Sequence, residues 1–197
     1  MRLDDPAFWR AGAISTIVVM SAVLVMLTVD SLGDIRAGGA HVPAYSVINK
    51  KIGYHFDSKR DIDAPTIGGD EPLFGRRLDE QAAAALIDKG KLVIQSRACI
   101  DCHTFFGNGA YYAPDLTKSW LDPAWEAWQG ITGASTREEA MVRFLMDPVQ
   151  YRTWTRTMPA LGLTREEAEA VVAYLKWMSA VDANGFPANF GLARAQQ

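Results

Sequence analysis

The longest apolar run lies near the N-terminus. Ala11 to Val29 reads AGAISTIVVMSAVLVMLTV, carries no charge, and is bracketed by Arg10 and Asp30. As a helix it would extend roughly 28 Å, close to the thickness of a bilayer's hydrocarbon core. Ser15, Thr16, Ser21 and Thr28 are scattered and form no polar face, which argues against a buried core helix. A cleaved signal peptide would have a shorter apolar region followed by a small-x-small site, and TVDSLGDIR offers no convincing one. The pattern predicts a transmembrane anchor over residues 11–30, with residues 1–10 as a short leading segment.

Residues 31–77 show neither a helical nor an alternating period that lasts. The stretch is rich in Gly, Pro and Asp, as in RAGGAHVPAY and DAPTIGGDEP. Tyr45, Ile48, Ile52, Tyr54, Phe56, Ile67, Leu73 and Phe74 are scattered through it. Pure linkers seldom carry so many apolar residues. The expectation is an extended segment that docks along a partner, with a loosely ordered linker as the alternative.

Helical patterning begins at Leu78. LDEQAAAALIDKGKLVIQSRA opens with Asp79 and Glu80, acids that suit a helix N-terminus, and leads into the next motif. Ala82, Ala85, Leu86, Lys89, Val93 and Ala98 read as its contact stripe, and Gly90 as a point of close approach for another helix or backbone. LDPAWEAWQG predicts a short helix with Asp122 as N-cap, Pro123 in its first turn and Gly130 as its stop. STREEAMVRFLMDP predicts another, with a Thr136/Glu139 capping box and Pro148 at its end. A last helix opens with Thr164 and Glu167 and places Ala168, Val171, Val172, Leu175 and Met178 on one face.

Composition narrows the field. The formal net charge of the 197 residues is −3, without the basic excess usual in nucleic-acid binders. There are only two cysteines, so a multi-disulfide framework is excluded.

Both cysteines fall in one motif, Cys99-Ile100-Asp101-Cys102-His103, the C-x-x-C-H signature of covalent c-type haem. Two thiols at this spacing can add to the two vinyl groups along one edge of the porphyrin, and the next residue offers an imidazole to the iron. A zinc site would need four ligands, and the other histidines, His41 and His55, lie far upstream. Such haem is attached on the periplasmic side of a membrane. That orients the chain: residues 1–10 cytoplasmic, residues 78–197 a periplasmic haem domain.

A second axial ligand is sought among seven methionines. Met1, Met20 and Met26 lie in the leader or anchor, while Met141, Met146 and Met178 read as core packing. Met158 sits in a non-periodic stretch before Pro159 and is expected to face the iron. A His/Met pair closes both axial positions and suits electron transfer, whereas an open iron would suit ligand chemistry. Pro114 is placed to accept a proton from His103 Nδ1 through its carbonyl, fixing the ring, or is simply a turn proline. Trp120, Trp125 and Trp128 cover haem, core or partner. The order of helix, C-x-x-C-H, loops, Met-Pro and final helix predicts a mainly α fold, a class I-like cytochrome c domain behind one transmembrane helix.

CIDCHTFFGNGAYYAPDLT and RTMPALGLTREEAEAVVAYLKWMSAVDANGFPAN together resemble the cytochrome c subunit of bacterial nitric oxide reductase. The resemblance implies a non-catalytic electron-entry subunit with one covalent haem c. It implies a polytopic catalytic partner of the haem–copper oxidase superfamily, bearing haem b and a haem b3–non-haem iron centre, that reduces nitric oxide to nitrous oxide. It also implies a soluble donor, a cytochrome c or a cupredoxin, and residence in the bacterial inner membrane. By motif match it assigns Gly109 and Tyr111 to a calcium site at the interface with that partner; the residue-level alternative is a tight glycine turn carrying two packing aromatics. The stretch between anchor and haem motif is longer than the family suggests. Its role is therefore not covered by the resemblance: it could meet an additional subunit, or a variant partner with a different donor or with oxygen-reducing activity, as in a related oxygen-reducing oxidase. A free-standing anchored cytochrome shuttle is the other reading, against which the apolar-rich stretch and the specific loop speak.

Overall fold

The computed structural model describes residues 5–152 and 157–187. Residues 1–4 of the leading segment and residues 188–197 of the predicted haem domain lie outside the described residues. The chain divides into two units, residues 1–42 and 43–197.

In the first unit, helix α1 spans Pro6–Ile35. It starts before the apolar run because Asp5 accepts a hydrogen bond from the Ala7 amide and Pro6 occupies the first turn. None of its residues is buried. It is long and apolar enough to cross a membrane. A short stretch of turns follows, closed by a hydrogen bond from the Gly38 amide to the Val42 carbonyl.

The second unit is mainly α. Its helices are α2 (Glu80–Ser96), α3 (Ala124–Thr132), α4 (Arg137–Met146) and α5 (Arg165–Ser179). They follow a two-stranded antiparallel hairpin of β1 (Lys50–Asp57) and β2 (Ile62–Asp70). A second, minimal pair joins β3 (Thr104–Phe105) to β4 (Asn108–Gly109).

The hairpin departs from the extended reading of residues 31–77. Residues 50–70 pair with Ile52 opposite Ile67 and Asp57 opposite Ile62. Only Ile52 in β1 and Ala64 in β2 are buried, so no alternation was there to be read. The flanks of the hairpin enter the main core through Ile48 and Leu73. Buried Asn49 ties them to α2, its amide donating to the Ser46 and Leu78 carbonyls and its oxygen accepting from the Leu78 amide. Glu80 accepts from the Tyr45 and Ser46 amides.

The core forms where α2 crosses α5. Ala168, Val171, Val172, Leu175 and Met178 of α5 are all buried, as the pattern predicts. On α2 the buried face is Ala83, Ile87, Gly90, Val93 and Ile94, so the expected stripe was right at Val93 and a residue off at Ala82 and Leu86. At Gly90 an added Cβ would lie 2.0 Å from the Ala170 carbonyl oxygen, which makes this the point of backbone-to-backbone approach.

The caps follow the sequence with three corrections. Thr164 and Glu167 form the full reciprocal capping box on α5. Thr136 accepts from the Glu139 amide, but the Glu139 carboxylate is drawn instead to Arg143 and Arg165. Asp122 accepts from the Ala124 amide, but the N-cap of α3 is Pro123, one residue later than expected, and α3 runs through Gly130 and stops at Gly133, which takes the left-handed conformation. Met141 and Met178 are core residues, whereas Met146, at the C-terminus of α4, is exposed.

Candidate functional site

The site is built where α2 ends. Its last turn closes at Arg97, and Ala98 takes a left-handed conformation at φ 53°, turning the chain away from the helix axis. Cys99–Asp101 then form one tight turn. The Cys99 carbonyl accepts from the amides of both Cys102 and His103, at 3.3 and 2.9 Å. One peptide oxygen therefore fixes the second thiol and the imidazole together. Cys99 packs against the core, and burial pushes its thiol pKa up.

The imidazole is oriented from the other side. His103 Nδ1 lies 2.7 Å from the Pro114 carbonyl oxygen, the contact expected from the sequence. This fixes the tautomer: Nδ1 donates, and Nε2 keeps a free lone pair. Pro114 is held by a stitched loop. The Ala113 amide donates to the Cys102 carbonyl and the Leu116 amide to the Thr104 carbonyl. Asp115 accepts from the Thr104 hydroxyl and the Thr117 amide, and the Thr117 hydroxyl accepts from the Phe106 amide. Thr104 and Thr117 are buried and were not singled out from the sequence. A polar residue eleven positions beyond the first and the third residue after the motif gives no signal without the fold.

These residues open onto a cavity of about 800 Å³. Cys102, His103 and Pro114 lie on its wall, and Met158 and Pro159, distant in sequence, line it too. Trp125, Trp128 and Phe144 supply an aromatic wall, with the Trp128 and Phe144 rings 4.9 Å apart between centroids. Trp125 Nε1 donates to the Ser119 carbonyl, so its polar atom is satisfied. Trp120 is buried in the core instead. The tryptophans thus divide between core and cavity, which sequence alone did not apportion.

Gly109 and Tyr111 do not line this cavity. Gly109 sits at φ 125°, and a Cβ there would approach the His103 carbonyl to 2.2 Å. Tyr111 is 83 % exposed and donates its hydroxyl to the Gly107 carbonyl.

A cavity walled by aromatic rings and faced by a thiol, an imidazole with a free nitrogen and a thioether has the donor chemistry of a haem pocket. The family model for cytochrome c matches residues 87–179, which include the motif, Met158 and every cavity-lining residue but Pro187. Residues 87–179 form a cytochrome c domain. Such a domain implies haem c, and the donors just described fit it.

Relatives add the closer likeness. The chain is 27 % identical over 119 residues to the C-subunit of nitric oxide reductase from Stutzerimonas stutzeri, covering 60 % of this chain and 76 % of that one. It is 29 % identical over 114 residues to the protein of the same name from Paracoccus denitrificans, covering 58 % and 73 %. The Halomonas halodenitrificans counterpart, again of that name, is 24 % identical over 115 residues, covering 58 % and 73 %. The cytochrome c domain resembles that of a nitric oxide reductase.

Proposed function

We propose that this chain is the membrane-anchored electron-entry subunit of a nitric oxide reductase complex. The observation that carries the proposal is the meeting of Cys102, His103 and Met158 on one aromatic-walled cavity in a chain resembling those subunits. Cys99 and Cys102 would attach one haem c covalently, and His103 and Met158 would bind its iron. When bound, the haem would supply a one-electron carrier. The protein's own part is to orient and enclose. The Pro114 carbonyl holds the imidazole, Trp125, Trp128 and Phe144 exclude water, and Pro159 stiffens the backbone beside Met158.

Helix α1 would anchor the chain in the bacterial inner membrane, with residues 1–10 cytoplasmic and the haem domain periplasmic. The catalytic partner would be a polytopic protein of the haem–copper oxidase superfamily that reduces nitric oxide to nitrous oxide. Electrons would come from a soluble cytochrome c or cupredoxin. Tyr111 and Tyr112, both exposed, would meet the catalytic partner. A calcium at Gly109 and Tyr111 would be a shared site.

Purification through a tag on this chain in mild detergent tests the reading. Haem b accompanying haem c, with nitric oxide consumption on addition of a reductant, is expected. Haem c alone, with no second subunit and no turnover, would leave only an anchored shuttle.

A further inference from the structure

The hairpin and the cavity share an unusual residue. Lys118 lies on the cavity wall, yet it is only 3 % exposed. Its ammonium donates to the Val181 carbonyl at 2.9 Å, lies 3.5 Å from the Ser179 carbonyl oxygen, and sits over the Tyr54 ring, 4.8 Å from its centroid. Tyr54 belongs to β1, and its hydroxyl donates to the same Ser179 carbonyl. The hairpin therefore closes over this lysine from outside.

The surrounding charges are already committed. Asp182 favours the charged lysine but is held by Arg60 at the hairpin turn, at 2.6 Å. Asp115 also favours it but accepts from Thr104 and Thr117. Asp63 on β2 faces Tyr54, and Arg60 also donates to Asn184. What holds the ammonium is carbonyl dipoles and an aromatic face. Lysines are almost never fully buried unless their charge is satisfied, and here backbone carbonyls and a ring take the place of a counter-ion.

We propose that the hairpin of residues 50–70 keeps Lys118 as a fixed positive charge behind the wall of the haem cavity, where it raises the reduction potential of the haem. This rests on the haem reading given above. A nearby cation in a poorly screened interior favours the state with one more electron. The step is balanced: one electron enters from the one-electron donor, and a proton from solvent binds Lys118 Nζ where that nitrogen was neutral. Burial depresses the lysine pKa to about 8, so the ammonium is the prevailing form near neutrality. The lysine acts through the field it exerts and is a positioning residue.

The experiment is spectroelectrochemical titration of the full chain with haem attached, in detergent at pH 6.5. Lys118→Met is expected to lower the midpoint potential while leaving the haem absorption bands unchanged, and Lys118→Arg to restore it. Equal midpoints in the unmodified chain and Lys118→Met would overturn the proposal. Should Lys118→Met fail to assemble, the unmodified chain decides. Its midpoint is expected to fall between pH 7 and 9 with the axial-ligand bands unchanged, and a level profile would overturn the proposal. Absence of covalent haem from the unmodified chain would instead overturn the haem reading, and this inference with it.

Discussion

Two residues are proposed to decide the chemistry of the cavity, and they were legible to different degrees. His103 was found by its motif alone, because c-type attachment requires an imidazole directly after the second thiol. Met158 was found by elimination, from an irregular setting among methionines otherwise assigned to the anchor or the core. The structure brings it to the same cavity as His103. Met158→Ala is expected to leave haem attachment intact, since the thiols carry it. It should abolish the methionine-dependent band of the oxidised spectrum and let carbon monoxide bind the reduced protein. An unchanged spectrum with no binding would remove Met158 from the iron. The Asp115 bridge between Thr104 and Thr117 was not legible, because its partners meet only after the loop has folded. Lys118 was equally silent: an exposed lysine and a buried one read alike in sequence.

Among the elements, the helices were legible and the hairpin was not. Helix α5 announces itself by a capping box and a period of 3.6, and both survive in the structure. The hairpin contains Pro65, Gly68 and Gly69 and buries one residue per strand, so no period of two could show. The contact between α2 and α5 gives a sharp test. Alanine is the better helix former by about 1 kcal/mol, so Gly90→Ala would stabilise an exposed helix. Here the new methyl would meet backbone at 2.0 Å, and overpacking of this kind costs about 1–3 kcal/mol or more. Chemical denaturation should show net destabilisation; a stabilised variant would mean that the two helices do not touch there.

The link between α4 and α5 is electrostatic. Arg165 and Arg143 beside Glu139 hold its carboxyl below the ordinary value of 4.5, against a smaller opposing effect of burial. A carboxylate whose folded pKa is depressed stabilises the fold above its ordinary pKa, and the effect is lost as pH falls through the folded value. Glu139→Gln should therefore cost up to about 1 kcal/mol at pH 7, a modest figure for a partly exposed network. The difference from the unmodified chain should vanish in acid. A difference that persists at pH 2 would point to packing instead of charge.

On the scale of the whole molecule, the division into an apolar helix and a haem domain is the feature the sequence showed most plainly. Helix α1 buries nothing within the chain, whereas residues 43–197 have their own core. Removal of residues 1–42 should therefore release a domain that stays in the soluble fraction after cell breakage and keeps the haem spectrum of the full chain. The full chain should sediment with membranes until detergent is added. Recovery of the full chain in the soluble fraction would remove the anchor. Less legible was the boundary: the segment expected to be extended up to residue 77 instead gives Ile48 and Leu73 to the core, so the compact unit begins at Pro43.

That early start shortens the leash. Helix α1 ends at Ile35 and the second unit begins at Pro43, so the connector spans residues 36–42. Fully extended at about 3.5 Å per residue, it reaches roughly 25 Å. On the proposed anchoring, a connector of that reach would keep the domain near the bilayer, and its search for the proposed membrane-embedded electron acceptor would be lateral. Confinement of this kind sets a high effective concentration without any added affinity. The proposed carrier, so tethered, would accept electrons from a dilute aqueous pool while remaining a near neighbour of whatever shares its membrane.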